Sequence, residues 1–272
     1  MNGLQKVIKI FAICLAIFII VNIFSAIVFG LSILINIFDN GEKNISGATF
    51  SESYKDITKI DIDVSTANVE IKAGTEFKVE ASDIESEFSS KLDGKTLKIK
   101  EEEKWTWNKK TAGEIVIYIP NELVLEKLNL NTGAGNIFIS ETLVDDFEID
   151  HGVGVLEISN SNFDKVDIDG GAGEIKITDS KLNDMDLDSG VGKVSIESEI
   201  TGKSDIQCGV GELEILLKGS KESYTITAEK GIGSIKINNE EMSNNSTYGD
   251  GENKINLEGG IGSISVKFNE VI

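Results

Sequence analysis

The chain has 272 residues, with 46 acidic side chains against 26 basic ones, all of them lysine, and a formal net charge of −20. That acidity opposes a polyanionic partner, and a chain without arginine lacks the planar fork best suited to phosphate, so composition argues against nucleic-acid binding. Two cysteines, Cys14 and Cys208, fall in different parts of the chain and give no disulfide or zinc framework.

Residues 10–38 carry no charge, with Lys6 and Lys9 before them and Asp39 and Glu42 after. About 20 apolar residues span a bilayer, and the flanking charges put the N-terminus in the cytoplasm and the rest outside. The expectation is an uncleaved single-pass anchor over 1–38, a cytoplasmic tip and transmembrane helix that partners the lipid bilayer through residues 10–38. A polar tether over 39–46 follows. A cleaved signal peptide is the alternative, but the apolar run is long for one and no small-x-small site follows it.

Residues 47–120 alternate apolar and polar in short runs: Ile60-Asp61-Ile62-Asp63-Val64, Val69-Glu70-Ile71, Phe77 to Ala81, Leu97 to Ile99 and Ile115 to Ile119, ending at Pro120, the one proline. These read as strands of the first coils and as a cap over the open end of a stack, since an uncovered end invites unwanted pairing. Both tryptophans, Trp105 and Trp107, lie in the charged segment 101–110. They alternate and so point the same way, either packing over the cap or offering a contact for sugar, peptide or the bilayer interface.

From 121 to 272 a Gly-aliphatic-Gly step recurs, at Gly133/Gly135, Gly152/Gly154, Gly171/Gly173, Gly190/Gly192, Gly209/Gly211, Gly231/Gly233 and Gly260/Gly262. The first five begin 19 residues apart and the remaining gaps are 22 and 29. Each step is flanked by alternating strands, for example Val166 and Ile168 before and Ile175 and Ile177 after, and Val144, Phe163 and Leu182 mark a third short side. A fixed period of this size with two strands per unit and no helical period predicts an all-β, single-stranded parallel β-solenoid of about 19-residue coils. The aliphatic residue between the glycines (Ala134, Val153, Ala172, Val191, Val210, Ile232, Ile261) is expected to join the core, and residues 238–254 to leave the stack as a surface loop or disordered insertion.

The runs at Ile60 to Asp63, Val69 to Ile71 and Leu128 to Ile137, with the Ile-Tyr-Ile-Pro ending at Pro120, resemble the bacterial "putative adhesin" family of β-strand-repeat domains, a domain of unknown function. The resemblance spans roughly residues 45–270. It implies an extracytoplasmic or membrane-tethered protein, in some members linked to cell-envelope stress, and it supplies no catalytic residue.

Stacked at the 19-residue period, Glu148, Asp167, Asp186 and Asp205 share one outward column and Asp150, Asp169 and Asp188 the next, continued by Gln207, Glu229 and Glu258. Like charges one rung apart repel, so two such columns suggest either a solvated face or a surface for a divalent cation, a cationic peptide, an envelope protein or another cell-surface ligand. No resident cofactor is implied. Gly170-Gly171-Ala172-Gly173 imitates a calcium-binding nonapeptide, but Ile175 stands where its aspartate belongs. His151, the one histidine, has no evident partner for nucleophilic or metal chemistry. The reading is a non-enzymatic, membrane-anchored interaction or adhesion module, or envelope-stress accessory. Its alternatives are a structural protein self-assembling through an unpaired edge at residues 266–272 and, more remotely, a polysaccharide-active enzyme using paired carboxylates.

Overall fold

A computed structural model of the chain describes residues 50–84, 87–102 and 112–269. They lie in one compact unit beginning at Ile45. The expected anchor, the tether and the Trp105/Trp107 segment fall outside the described residues.

The regular part is a stack of parallel rungs. Strands β8 (Val124–Ser140), β9 (Leu143–Ser159), β10 (Asn162–Asn183), β11 (Met185–Thr201) and β12 (Lys203–Lys218) follow one another in chain order and space. Residue pairs across the rungs are 19 apart, as in Ile149 beside Ile168 and Ile168 beside Leu187. Period-2 alternation sends Phe163, Val166, Ile168, Ile175, Ile177 and Leu182 of β10 inward, each at most 4% exposed. Burial of each such side chain contributes about 1.5–3 kcal/mol. Phe147 and Phe163 stack from rung to rung with centroids 4.6 Å apart. The architecture is all-β and β-solenoid-like, as the repeat predicts.

The Gly-x-Gly step is a corner at which backbones nearly touch. The second glycine has positive φ in every rung, from 142° at Gly154 to 153° at Gly233, a region L side chains rarely adopt. A Cβ on Gly192 would lie 1.8 Å from the Gly173 carbonyl oxygen, and on Gly211 1.7 Å from that of Gly192. The residue between the glycines is not in the core, contrary to expectation. Val153 is 37%, Ile261 44% and Ile232 73% exposed. Alternation resumes inside the corner, so the inward position belongs to the residue before the first glycine, where Thr132, His151 and Cys208 are buried.

A second corner uses serine. Glu141, Asn160 and Asp179 adopt left-handed backbone conformations, each followed by a buried hydroxyl residue, Thr142, Ser161 and Ser180. The Ser161 hydroxyl accepts from the Thr142 amide at 3.2 Å and donates to the Ser159 carbonyl at 2.9 Å. Ser180 and Ser198 continue the ladder with the amides of Ser161 and Ser180. Ser204, which interrupts the apolar pattern, is likewise fully buried, and its hydroxyl accepts from the Met185 amide at 3.2 Å.

At the N-terminal end, β2 (Lys59–Val64) and β3 (Asn68–Gly74) pair in parallel with β8, and β6 (Thr96–Glu102) and β7 (Glu114–Pro120) make a further parallel rung upon them. Antiparallel strands then cover this end: β4 (Phe77–Ser82) on β7, β1 (Phe50–Tyr54) on β4, and β5 (Glu87–Asp93) on β6. Ser65 to Asn68 stand in register with the glycine corner: the Ser65 carbonyl packs on Gly133 and that of Ala67 on Gly135.

At the other end the rungs leave chain order. Strand β16 (Asn253–Asn269) lies between β12 and β13 (Tyr224–Ile237), pairing in parallel with both. The expected free edge is corrected for residues 266–269, because Val266 is paired with Ile215 on one side and Ile237 on the other and β16 pairs with β12 as far as Asn269; residues 270–272 lie outside the described residues. The outermost parallel rung is β13. The 238–254 insertion is corrected too: it forms β14 (Glu240–Glu241) and β15 (Ser246–Tyr248), which pair antiparallel with β13 and cover part of its edge.

Candidate interaction groove

The acidic side chains Glu148 to Asp205 and Asp150 to Asp188 fall in two columns over β9 to β12. Glu148, Asp167, Asp186 and Asp205 are in register, and so are Asp150, Asp169, Asp188 and Gln207. Beyond Gln207 the order is Glu258 and then Glu229, because β16 precedes β13 in the stack. Strand alternation points these side chains outward, roughly 4.8 Å apart along the column.

Beside the second column the corner glycines carry no side chains, and a groove of about 740 Å³ opens along the stack. Asp150, Asp169, Asp188, Gln207 and Glu258 line one side, and Gly152, Gly171, Gly190, Gly209 and Gly260 the other, with the His151, Gly170, Ser189 and Cys208 positions between them. The groove is thus a direct product of the repeat: an acidic or amide residue two places before each first glycine, and no Cβ at the corner.

Charge is unevenly compensated around it. Lys127 reaches Glu148 at 2.6 Å and Asp146 at 3.2 Å, while Lys203 lies 3.6 Å from Asp205. The first column is also bounded by amides, Asn129 donating to Asp61 and Asn256 to Asp205. Among the described residues no lysine pairs with Asp150, Asp167, Asp169, Asp186 or Asp188, although Lys176, Lys193 and Lys218 are paired on other columns. Partial desolvation, and then the neighbouring carboxylates Asp150, Asp167 and Asp188, raise the pKa of Asp169 above the usual carboxylate range. Desolvation and then Asp188, Asp167 and Asp205 do the same to Asp186.

His151 is 4% exposed. Its Nδ1 is 2.7 Å from the Thr132 hydroxyl, its Nε2 has no hydrogen-bond partner among the described residues, and burial pushes its pKa down. The Cys208 thiol is free and buried, which pushes its pKa up. Neither meets a nucleophile–base arrangement. Among the described residues no group of three or more His, Cys, Asp or Glu is placed to hold a metal ion. The columns present carboxylates one rung apart rather than converging, which suits a long ligand better than a point cation.

Sequence reasoning missed three features: the exposed aliphatic row of Val153, Ile261 and Ile232, the buried serine ladder, and the role of Glu101. Glu101 was read as part of the charged tryptophan segment, yet it lies in β6 at 2% exposure with its carboxylate on the Ser65 and Thr66 amides. A carboxylate in a run of acids gives no local sign of burial. The signal was instead its register with the glycine corner.

An all-β chain with polar residues set in columns along stacked rungs is a repeat scaffold presenting an extended surface. The chain belongs to the Toastrack DUF4097 family, whose model matches residues 57–260, and the resemblance to "putative adhesin" domains is thereby borne out. No curated protein matches the chain. Among solved structures, a putative cell adhesion protein from Clostridium sporogenes is 17% identical, with 82% of this chain and 100% of that one covered at a TM-score of 0.39. A putative adhesin from Bacteroides fragilis is 14% identical, with 81% and 97% covered at a TM-score of 0.40. A putative lipid binding protein from Parabacteroides distasonis is 17% identical, with 84% and 98% covered at a TM-score of 0.42.

Proposed function

We propose that this chain is a non-enzymatic, membrane-anchored extracytoplasmic interaction module that holds a cationic, extended partner, such as a basic segment of an envelope protein, along the acidic corner groove. The observation that carries the reading is the row Asp150, Asp169 and Asp188, which lines an open groove and has no lysine partner among the described residues. A strand-like basic peptide repeats every second side chain at about 6.6–6.8 Å, and flexible lysine stems can match that spacing to rungs about 4.8 Å apart. The anchor rests on the uncharged stretch 10–38 and its flanking charges.

The test is fluorescence anisotropy of a labelled oligolysine peptide against the wild type and against a variant with Asp167, Asp169, Asp186 and Asp188 changed to Asn. A control carrying Glu52, Glu76, Glu122 and Glu222 changed to Gln has the same net charge with the groove intact. The groove variant is expected to lose at least tenfold in affinity and the control less than threefold. Equal losses would mean that only net charge is read, and the groove would lose its role. Crosslinked pull-downs from intact cells with the same pair of variants then identify the partner, and protease shaving of those cells tests the exposed orientation.

A further inference from the structure

The strands after β12 form a unit of their own. β14 and β15 each pair with β13, and β13 pairs with β16 from Tyr224 beside Asn253 to Ile237 beside Val266. This unit, residues 224–269, meets the preceding rungs chiefly along the seam of β12 against β16, from Lys203 beside Lys254 to Lys218 beside Asn269, with further contacts to Gly202 and β11 at its margin. The chain that enters the unit does not continue onto the neighbouring rung. It passes Gly219, at φ 140°, and a short 3-10 turn at Lys221–Ser223, and steps past the place of a whole rung to start β13 on the far side of β16.

The seam is selective for its occupant. A Cβ on Gly260 would meet the Gly209 carbonyl oxygen at 2.1 Å and one on Gly262 that of Gly211 at 1.7 Å, so only a strand with two glycines in register can close on β12. Specific polar contacts fix the alignment: the Lys254 amide donates to the Gly202 carbonyl at 2.8 Å, the Gly202 amide to the Asn253 side chain at 3.1 Å, and Asn256 to Asp205 at 2.6 Å. A second copy of this chain carries an identical unit and an identical acceptor edge, and the only covalent link across the seam within the described residues is the 219–223 connector. We propose that residues 224–269 are an exchangeable unit, docking on the β12 edge of a second copy as well as on their own, so that two copies are joined by reciprocal exchange about the 219–223 hinge. Exchange of an identical element needs no new interface and is favoured when the hinge is short.

The experiment uses the full chain in detergent with Cys14 and Cys208 changed to Ser, and with Glu214→Cys and Ser265→Cys placed in register across the seam. Two versions of different mass are unfolded together, refolded over a range of concentrations and treated with a short bismaleimide. A product containing one chain of each mass, rising with concentration, is the expected result. Crosslinks confined to single chains at every concentration would overturn the proposal, and so would the absence of any crosslink, since the seam would then be misassigned. Deleting residues 220–222 should raise the dimer fraction at least tenfold at a fixed concentration, and an unchanged fraction would count against the hinge.

Discussion

The Glu101 carboxylate lies 3.1 Å from the Thr66 amide nitrogen, in the acceptor position that the Ser65 carbonyl fills for Ala134 one rung later at 2.9 Å. Corner amides point toward the N-terminal end of the stack, so the rung formed by β2 and β3 needs an acceptor from beyond itself. The same carboxylate oxygen also takes the Ser65 amide at 2.8 Å, an amide that the Glu101 carbonyl accepts as well at 3.2 Å. Removing the carboxylate takes a charged acceptor from two half-buried amides, and hydrogen bonds to charged groups contribute about 1.5–3 kcal/mol. Glu101→Ala should therefore lower stability by about 2–3 kcal/mol in urea unfolding, and Glu101→Gln by less, since an amide oxygen still accepts. An alanine variant as stable as the wild type would show that these amides have another acceptor.

The glycine corner makes a sharper contrast. Gly192 has φ 148° and faces a backbone oxygen that cannot move without displacing a rung, whereas a Cβ on Gly170 would meet the Ile175 Cδ1 at 2.7 Å, the movable end of a side chain. Gly192→Ala should cost at least about 3 kcal/mol from backbone strain and the clash together. Gly170→Ala should cost about 1 kcal/mol, in the lower range of overpacking. Thermal unfolding of the two variants side by side checks the difference, and comparable losses would contradict the distinction between backbone and side-chain contact.

The repeat, its period, the inward strand positions and the two acidic columns were all legible in the sequence, because alternation and spacing record which way a side chain points. The inside of the corner was not. Val153 reads as core by type, but the tight turn puts it one position out of phase and leaves His151 to face inward. The final rungs were illegible for another reason: a parallel stack satisfies the Gly260/Gly262 corner equally well above or below Gly231/Gly233, and local pattern does not encode the order. The connection from Lys218 to Tyr224 and the strands in the 238–254 insertion decide it.

The buried serine ladder should tolerate only another hydroxyl. Ser180 is 3% exposed, accepts from the Ser161 amide at 3.2 Å and donates to the Thr178 carbonyl at 2.8 Å. Ser180→Ala orphans a buried amide and should cost about 1–3 kcal/mol. Ser180→Thr should cost under about 1 kcal/mol, because Thr142 already fills the same position two corners earlier with its hydroxyl on the Ser140 carbonyl. Hydrogen exchange at the Ser161 amide is the direct readout: faster in the alanine variant, protected in the threonine one.

Acid should act on this fold in two windows of opposite sign. His151 is held below its usual 6.5 by burial, so the unfolded chain takes up its proton first, and stability falls as pH drops through about 6.5 until the folded imidazole is itself protonated. Asp169 and Asp186 are held above their usual 3.8, so the folded chain takes up those protons first, and stability rises as pH falls through their folded values, the gain being complete below about 3.8. Chemical denaturation between pH 7 and 3 should show the first slope vanish in His151→Thr, the residue found at the Thr132 position. The second should vanish in Asp169→Asn/Asp186→Asn. Relief of repulsion should also make that double variant more stable at pH 7, by about 0.5 kcal/mol at low salt and less at high salt, the small size following from the solvent screening of exposed carboxylates. If His151→Thr retains the slope between pH 7 and 5, another group carries it. If the double variant gains nothing at low salt, the carboxylate columns are not repelling one another.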